Sequence, residues 1–148
     1  MILEGKRVKL VPLTDIEYFL DLADADNKGL YPRDSLANVI KNYGVEFWET
    51  HQNGKRMGVI GYFKFGEIYF VEGVRDRSVP NVGVTTSIEA TEMVIARIRL
   101  LTNRVYTCAR KDSKAINIIC KKLGFVEIDK LDYMGSVKED LNWYKLEV

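Results

Sequence analysis

Histidine occurs once in the 148 residues, at His51, and cysteine twice, at Cys108 and Cys120. One histidine and two well-separated cysteines give neither a disulfide framework nor a zinc-ligand spacing, so no metal is expected. Three prolines and no Pro-, Gly- or Ser-rich stretch leave no linker, and one domain over residues 1–148 is the expectation. No apolar run approaches ~18 residues, which removes a membrane-spanning helix and membrane partners from the expectation. Met1 to Lys6 shows none of the zones of a signal peptide, so a cytoplasmic protein with reduced thiols is expected. Net charge is +1, too little for binding nucleic acid by bulk electrostatics.

What is present is periodicity. Lys6 to Pro12 alternates as a strand, and Thr14-Asp15-Ile16-Glu17 matches a capping box, with Leu13 and Tyr18 as its hydrophobic staple. A helix to about Ala23 follows, then a loop to Pro32. A second helix, capped by Asp34, has Leu36, Val39, Ile40 and Tyr43 on one face. Val45 to Gln52 and Arg56 to Phe65 read as strands joined by an Asn53-Gly54 turn, the second apolar on both faces and hence central. Glu67 to Val74 is the fourth predicted strand. Thr86-Ser87-Ile88-Glu89 is a second capping box, opening a helix to about Leu101. Arg104 to Ala109 reads as a strand. The last helix, capped by Asp112 or Ser113, has a stripe of Ala115, Ile116, Ile119, Cys120 and Leu123 and stops at Gly124. Two strands close the chain, near Phe125 to Lys130 and Lys138 to Glu147. The class is α+β around one sheet.

This order resembles the GNAT acyltransferase fold. Gly5-Lys6-Arg7-Val8-Lys9-Leu10-Val11-Pro12-Leu13 looks like the first strand of the branch that acetylates protein N-termini and small amines. Met57-Gly58-Val59-Ile60-Gly61-Tyr62 is similar to the family's third strand. Lys114 to Phe125, with its Leu123-Gly124-Phe125, resembles the family's last helix. The resemblance implies a mixed, mostly antiparallel sheet of about seven strands with about four helices. It implies acetyl-CoA as co-substrate and a small-molecule or peptide amine as acceptor.

The family's phosphate motif, (Gln/Arg)-x-x-Gly-x-(Gly/Ala), falls on Ser78 to Gly83, where only Gly83 fits. Backbone N–H groups at a helix N-terminus are what such a motif offers to a pyrophosphate. The cofactor-binding positions the resemblance implies are Gly73 and Val74 on the fourth strand, Arg75 just after it, Asn81, Val82, Gly83, Val84, Thr85 and Thr86 at the helix start, and Ser113, which replaces the Asn often found at the last helix.

Glu72 shares an apolar strand face with Ile68, Phe70 and Val74. A carboxylate so placed gains a raised pKa, which suits a general base for an ammonium; the alternative is a salt bridge to a neighbouring strand or an edge position facing water. Cys120 stands where many members carry a Tyr as general acid. It also lies on an apolar stripe, where a buried structural thiol is the simpler reading. His51 reads as a hairpin residue, and Arg110, Lys111 and Lys114 as a solvated helix start. Tyr31, Pro32 and Arg33 lie where the resemblance puts acceptor-shaping residues. The expected function is N-acetyl transfer to a primary amine by direct attack. The alternative is a GNAT-fold protein that binds or scaffolds without catalysis. Trp143 and Tyr144 on the last strand suggest pairing across a homodimer.

Overall fold

The computed structural model describes residues 1–27, 33–80, 83–129 and 141–148. In chain order the elements are β1 (Leu3–Glu4), β2 (Lys9–Pro12), α1 (Ile16–Asn27), α2 (Arg33–Tyr43), β3 (Gly44–Gln52), β4 (Lys55–Phe65) and β5 (Ile68–Arg75). Then come α3 (Val84–Ile98), β6 (Arg104–Arg110), α4 (Lys114–Lys122), β7 (Val126–Ile128) and β8 (Leu141–Glu147). The strands form one mixed sheet in the order β1-β2-β3-β4-β5-β6-β8-β7. The expected first strand, Lys6 to Pro12, is shortened to β2, and the short strand β1 precedes it, the chain between them turning where the Gly5 N–H meets the Val8 carbonyl at 2.7 Å. The fourth predicted strand is therefore β5, and the described strands number eight rather than seven.

The β3–β4 hairpin turns on Asn53 (φ 52°) and Gly54 (φ 75°), the left-handed pair that matches the twist of two strands. Strand β4 is central and nearly all buried, as its apolar faces require. On one side of the sheet α3 lays Thr86, Ala90, Val94 and Ile98, one residue per turn, against Leu10, Trp48, Ile60 and Tyr62. On the other side α1 presents Tyr18, Phe19 and Leu22 to Val59, with Val74 beside them. Phe47, Phe63, Phe65, Phe70 and Trp143 fill the rest of that face.

Both capping boxes are corrected. At α1, Asp15 rather than Thr14 accepts the Tyr18 N–H (3.2 Å), and Glu17 turns outward to Arg33. At α3 the helix starts three residues early, with Gly83 rather than Thr86 as N-cap and no side-chain cap. The reason is long-range. Glu89 accepts the backbone N–H groups of Lys6 (2.6 Å) and Arg7 (3.1 Å), pinning α3 to the β1–β2 turn, while the Thr86 hydroxyl donates to Gln52 Oε1 (2.9 Å).

Two further expectations give way. Ala115 and Ile116 are exposed, and only Ile119 and Cys120 of α4 are buried, because the first turn of α4 overhangs a gap in the sheet. Trp143 and Tyr144 are core residues on β8, which pairs with β6 on one side and β7 on the other, so of the two C-terminal strands it is β7 that lies at the edge of the sheet. Among the described residues no helix is long and apolar enough to cross a membrane.

Candidate active site

The gap is created by strand pairing. Strand β5 is hydrogen-bonded to β4 along its length, from Phe65↔Ile68 to Gly58↔Arg75. Strand β6 is likewise held by β8 from Arg104↔Glu147 to Arg110↔Leu141. Between them β5 and β6 share one parallel pair, Phe70↔Tyr106, and then part. Beyond that pair the Thr107 hydroxyl donates to the Val71 carbonyl at 2.9 Å. Val71 O thus faces β6, and strand alternation puts the N–H and C=O of Gly73 and Arg75 on the same edge, unpaired by any strand among the described residues. Val74 turns its backbone the other way.

A cavity of about 140 Å³ fills the opening. Glu72, Val74 and Cys108 line it on the α1 side, and Val71, Ala90 and Cys120 on the side of α3 and α4. It therefore reaches both faces of the sheet, so two reactants can approach one another through the gap.

Glu72 lies in this cavity wall, half-buried, directly across from Gly61 on β4. Among the described residues its carboxylate has no hydrogen-bond or ion-pair partner. Burial, with the negative charge of Asp26 on α1 added, pushes it up from 4.5 to about 7. A carboxylate titrating there can take a proton from an ammonium near neutrality. Gly61 has no room for a side chain: a Cβ would stand 2.2 Å from the Phe47 ring and 2.3 Å from the Glu46 carbonyl oxygen.

Cys120 is buried in the same cavity wall, and burial pushes its thiol up to about 11. A free thiol titrates near ~8.5. Burial thus strengthens the hold of Cys120 on its proton, as in a buried structural cysteine. Replacing Cys120 by Ala is expected to leave turnover within about twofold. It should cost on the order of 1 kcal/mol, a melting point lower by roughly 2–4 °C, measurable by scanning calorimetry.

Gly83 caps α3 in an extended conformation (φ −82°, ψ 161°) that any residue adopts, so positive φ is not its purpose. Among the described residues a Cβ there would meet nothing nearer than the Thr85 backbone nitrogen at 4.0 Å, so none of them crowds the start of α3 at that point. Its uncapped N–H groups and dipole suit an anion. Val84 is half-buried and Thr85 exposed at this turn, and neither lines the cavity, whereas Thr86 does. Asn81 and Val82 lie outside the described residues, as do Tyr31, Pro32 and Tyr133. Ser113 is the N-cap of α4, away from the cavity lining, with no side-chain cap bond.

Asp76 and Thr107 were not singled out by sequence. Asp76 accepts from the Ser78 N–H (3.0 Å) and hydroxyl (2.6 Å) and from the Tyr18 hydroxyl (2.9 Å). Burial works against its charge, but these donors and Arg56 outweigh burial and hold its carboxyl below the usual range. Asp76-x-Ser78 is an Asx-turn spacing, a local signal that was legible. The Ser78 donors are thereby committed to Asp76. Arg77 pairs with Asp26 at 2.7 Å, and Arg33 clamps α1 through Glu17, Asp21 and Asp24. His51 pairs with Glu49 at 3.0 Å, and Arg110 with Asp112 at 3.2 Å. Among the described residues no cluster of three metal-ligating side chains occurs.

A sheet parted between its two central halves, with a cavity under the split and an open helix start beside it, is the fold of the GNAT acetyltransferases, and this chain has that fold. An acetyltransferase of Agrobacterium tumefaciens str. C58 superposes with a TM-score of 0.77 at 12% identity, over 100% of this chain and 95% of that one. A GNAT-family acetyltransferase of Bacillus anthracis gives 0.69 at 15% identity, over 99% and 98%. RimL, a ribosomal L7/L12 alpha-N-protein acetyltransferase solved with coenzyme A, gives 0.69 at 13% identity, over 100% and 98%. At such identities the likeness is one of fold. No family model matches the sequence, and no curated protein does.

Proposed function

We propose that the chain is an acetyl-CoA-dependent N-acetyltransferase acting on a primary amine: a protein N-terminus, a lysine or a small amine. The observation that carries this reading is that the unpaired edge of β5 and the unpartnered, desolvated Glu72 line the same opening. The coenzyme A bound by RimL, a protein of like fold, supports acetyl-CoA as the second substrate.

In this reading the backbone groups of Gly73 and Arg75 hold the amide-bearing arm of acetyl-CoA as a missing strand would. The open first turn of α3, from Gly83 to Thr86, receives the pyrophosphate, with Asn81 and Val82 before it. Glu72 takes a proton from the acceptor ammonium. The freed nitrogen attacks the thioester carbonyl, whose oxygen the Gly73 N–H polarises. The carbon–sulfur bond breaks, and the thiolate takes its proton from water. Positioning both substrates in one gap supplies most of the rate gain.

One observation favours a second reading, a non-catalytic GNAT-fold binding or structural component. The Ser78 donors are committed to Asp76 and unavailable to a phosphate. Thermal unfolding with acetyl-CoA separates the two. At about 100 times its dissociation constant a ligand stabilises by ~2.7 kcal/mol, roughly 5–10 °C for this size. A shift of that order with acetyl-CoA and none with ATP supports the transferase. No shift at millimolar acetyl-CoA sinks it.

A further inference from the structure

We propose that Asp26 docks the acceptor's ammonium beside Glu72, so that two facing carboxylates select a cationic primary amine. The inference rests on the transferase reading above.

The geometry comes from α1 and β5 running in step. The Tyr18 hydroxyl donates to Asp76 at 2.9 Å, and one turn on, Leu22 belongs to the hydrophobic cluster against which Val74 packs. Four helical residues rise about 6 Å and two strand residues about 6.6 Å, so the next pair in the series is Asp26 with Glu72. The electrostatic influence of Asp26 on Glu72 agrees with that register. Among the described residues the groups around Glu72 are few. Strand β4 offers Gly61 opposite it, and β6 offers the Cys108 thiol on the cavity wall. On α1, Asp21 and Asp24 are held by Arg33, which leaves Asp26 as the carboxylate directed at this place.

Asp26 already holds a cation. Arg77, from the segment after β5, sets its guanidinium on Asp26 Oδ1 at 2.7 Å, with side chains 58% and 44% exposed. So open a pair is weakly held and exchanges readily for another N–H cation. An ammonium replacing Arg77 meets Asp26 on one side and Glu72 on the other. It passes one proton to Glu72, Asp26 keeps its negative charge, and the neutral nitrogen is left at the gap. Asp26 therefore has two effects: it binds the incoming cation, and its charge makes Glu72 the stronger base.

The test uses the full chain with carboxyl-labelled Glu and Asp, observed by carbon NMR, as wild type, Asp26→Asn and Arg77→Gln. The probes are alanyl-alanine amide, which has a free amine, and its N-acetylated counterpart. The free amine should perturb the Glu72 signal and the N-acetylated peptide should not. Asp26→Asn should weaken the amine about tenfold, the size of one charge-assisted hydrogen bond, and move the Glu72 midpoint to lower pH. Arg77→Gln, which removes the competing cation, should tighten it. Steady-state kinetics should show the Asp26→Asn effect in KM for the amine, with KM for acetyl-CoA unchanged. Equal binding of the amine by Asp26→Asn and wild type, or equal binding of the two peptides, overturns the proposal. Amine docking with the expected dependence on Asp26 but no acetyl transfer would sink the transferase reading and leave the docking role standing.

Discussion

Replacing Glu72 by Gln is expected to lower kcat/KM for the amine by about 10²–10⁴-fold, the usual worth of a positioned general base, with KM for acetyl-CoA unchanged. In the wild type kcat/KM should rise with pH through about 7 as Glu72 ionises, and the variant should lose that inflection. The same substitution has an opposite effect on stability. Glu72 titrates at about 7 when folded against an ordinary 4.5, so between those values the unfolded chain has released the proton and the folded chain has kept it. Its contribution to stability is full below about pH 4 and is lost as pH rises through 7. At pH 8 the Gln variant, spared a desolvated charge, should be the more stable. The gain should be on the order of 1–2 kcal/mol after allowing for the residue's remaining contact with water. At pH 4 the two should melt together. Calorimetry at the two pH values reads this directly. A variant that lost activity and stability alike would indicate a structural role for Glu72.

Gly61→Ala carries the largest expected loss of stability. The added methyl would lie 2.2 Å from a Phe47 ring carbon and 2.3 Å from the Glu46 carbonyl oxygen. The ring is wedged between Phe19 and Phe63, with centroids 5.2 and 5.1 Å away, and the carbonyl belongs to the neighbouring strand. Neither can withdraw without moving β3. Overpacking of this kind costs about 3 kcal/mol, a fall in melting point of roughly 6–12 °C. Because Gly61 faces Glu72 across the β4–β5 ladder, amine turnover should fall with it. A melting point within 2 °C of wild type, about half a kcal/mol, would mean that the Phe47 ring is not held as described.

Local physics made most of the fold legible. The apolar run of β4, the Asn53-Gly54 turn and the Leu-Gly-Phe helix stop all depend on neighbours in sequence, and all three occupy the elements expected of them. What failed was decided at a distance. Thr86 to Glu89 has the letters of a capping box, but Glu89 has backbone donors 82 and 83 residues away and Thr86 has Gln52. Ala115 and Ile116 follow the helical stripe, yet the surface they should cover is the gap, which exists only because β5 and β6 belong to different halves of the sheet. Glu72 was visible as a carboxylate on an apolar face. The field of Asp26 upon it was not, since 46 residues and a helix-on-strand register separate them.

The central claim is tested most directly by acetyl-CoA-dependent thiol release. The chain is incubated with acetyl-CoA and a panel of free-amine peptides, lysine peptides and small amines, and the products are weighed by mass spectrometry. Thiol release that requires an amine, matched by a product heavier by one acetyl group and abolished by Glu72→Gln, is the expected result. Thiol release that is absent with every amine, or that proceeds equally in the Glu72→Gln variant, would contradict it.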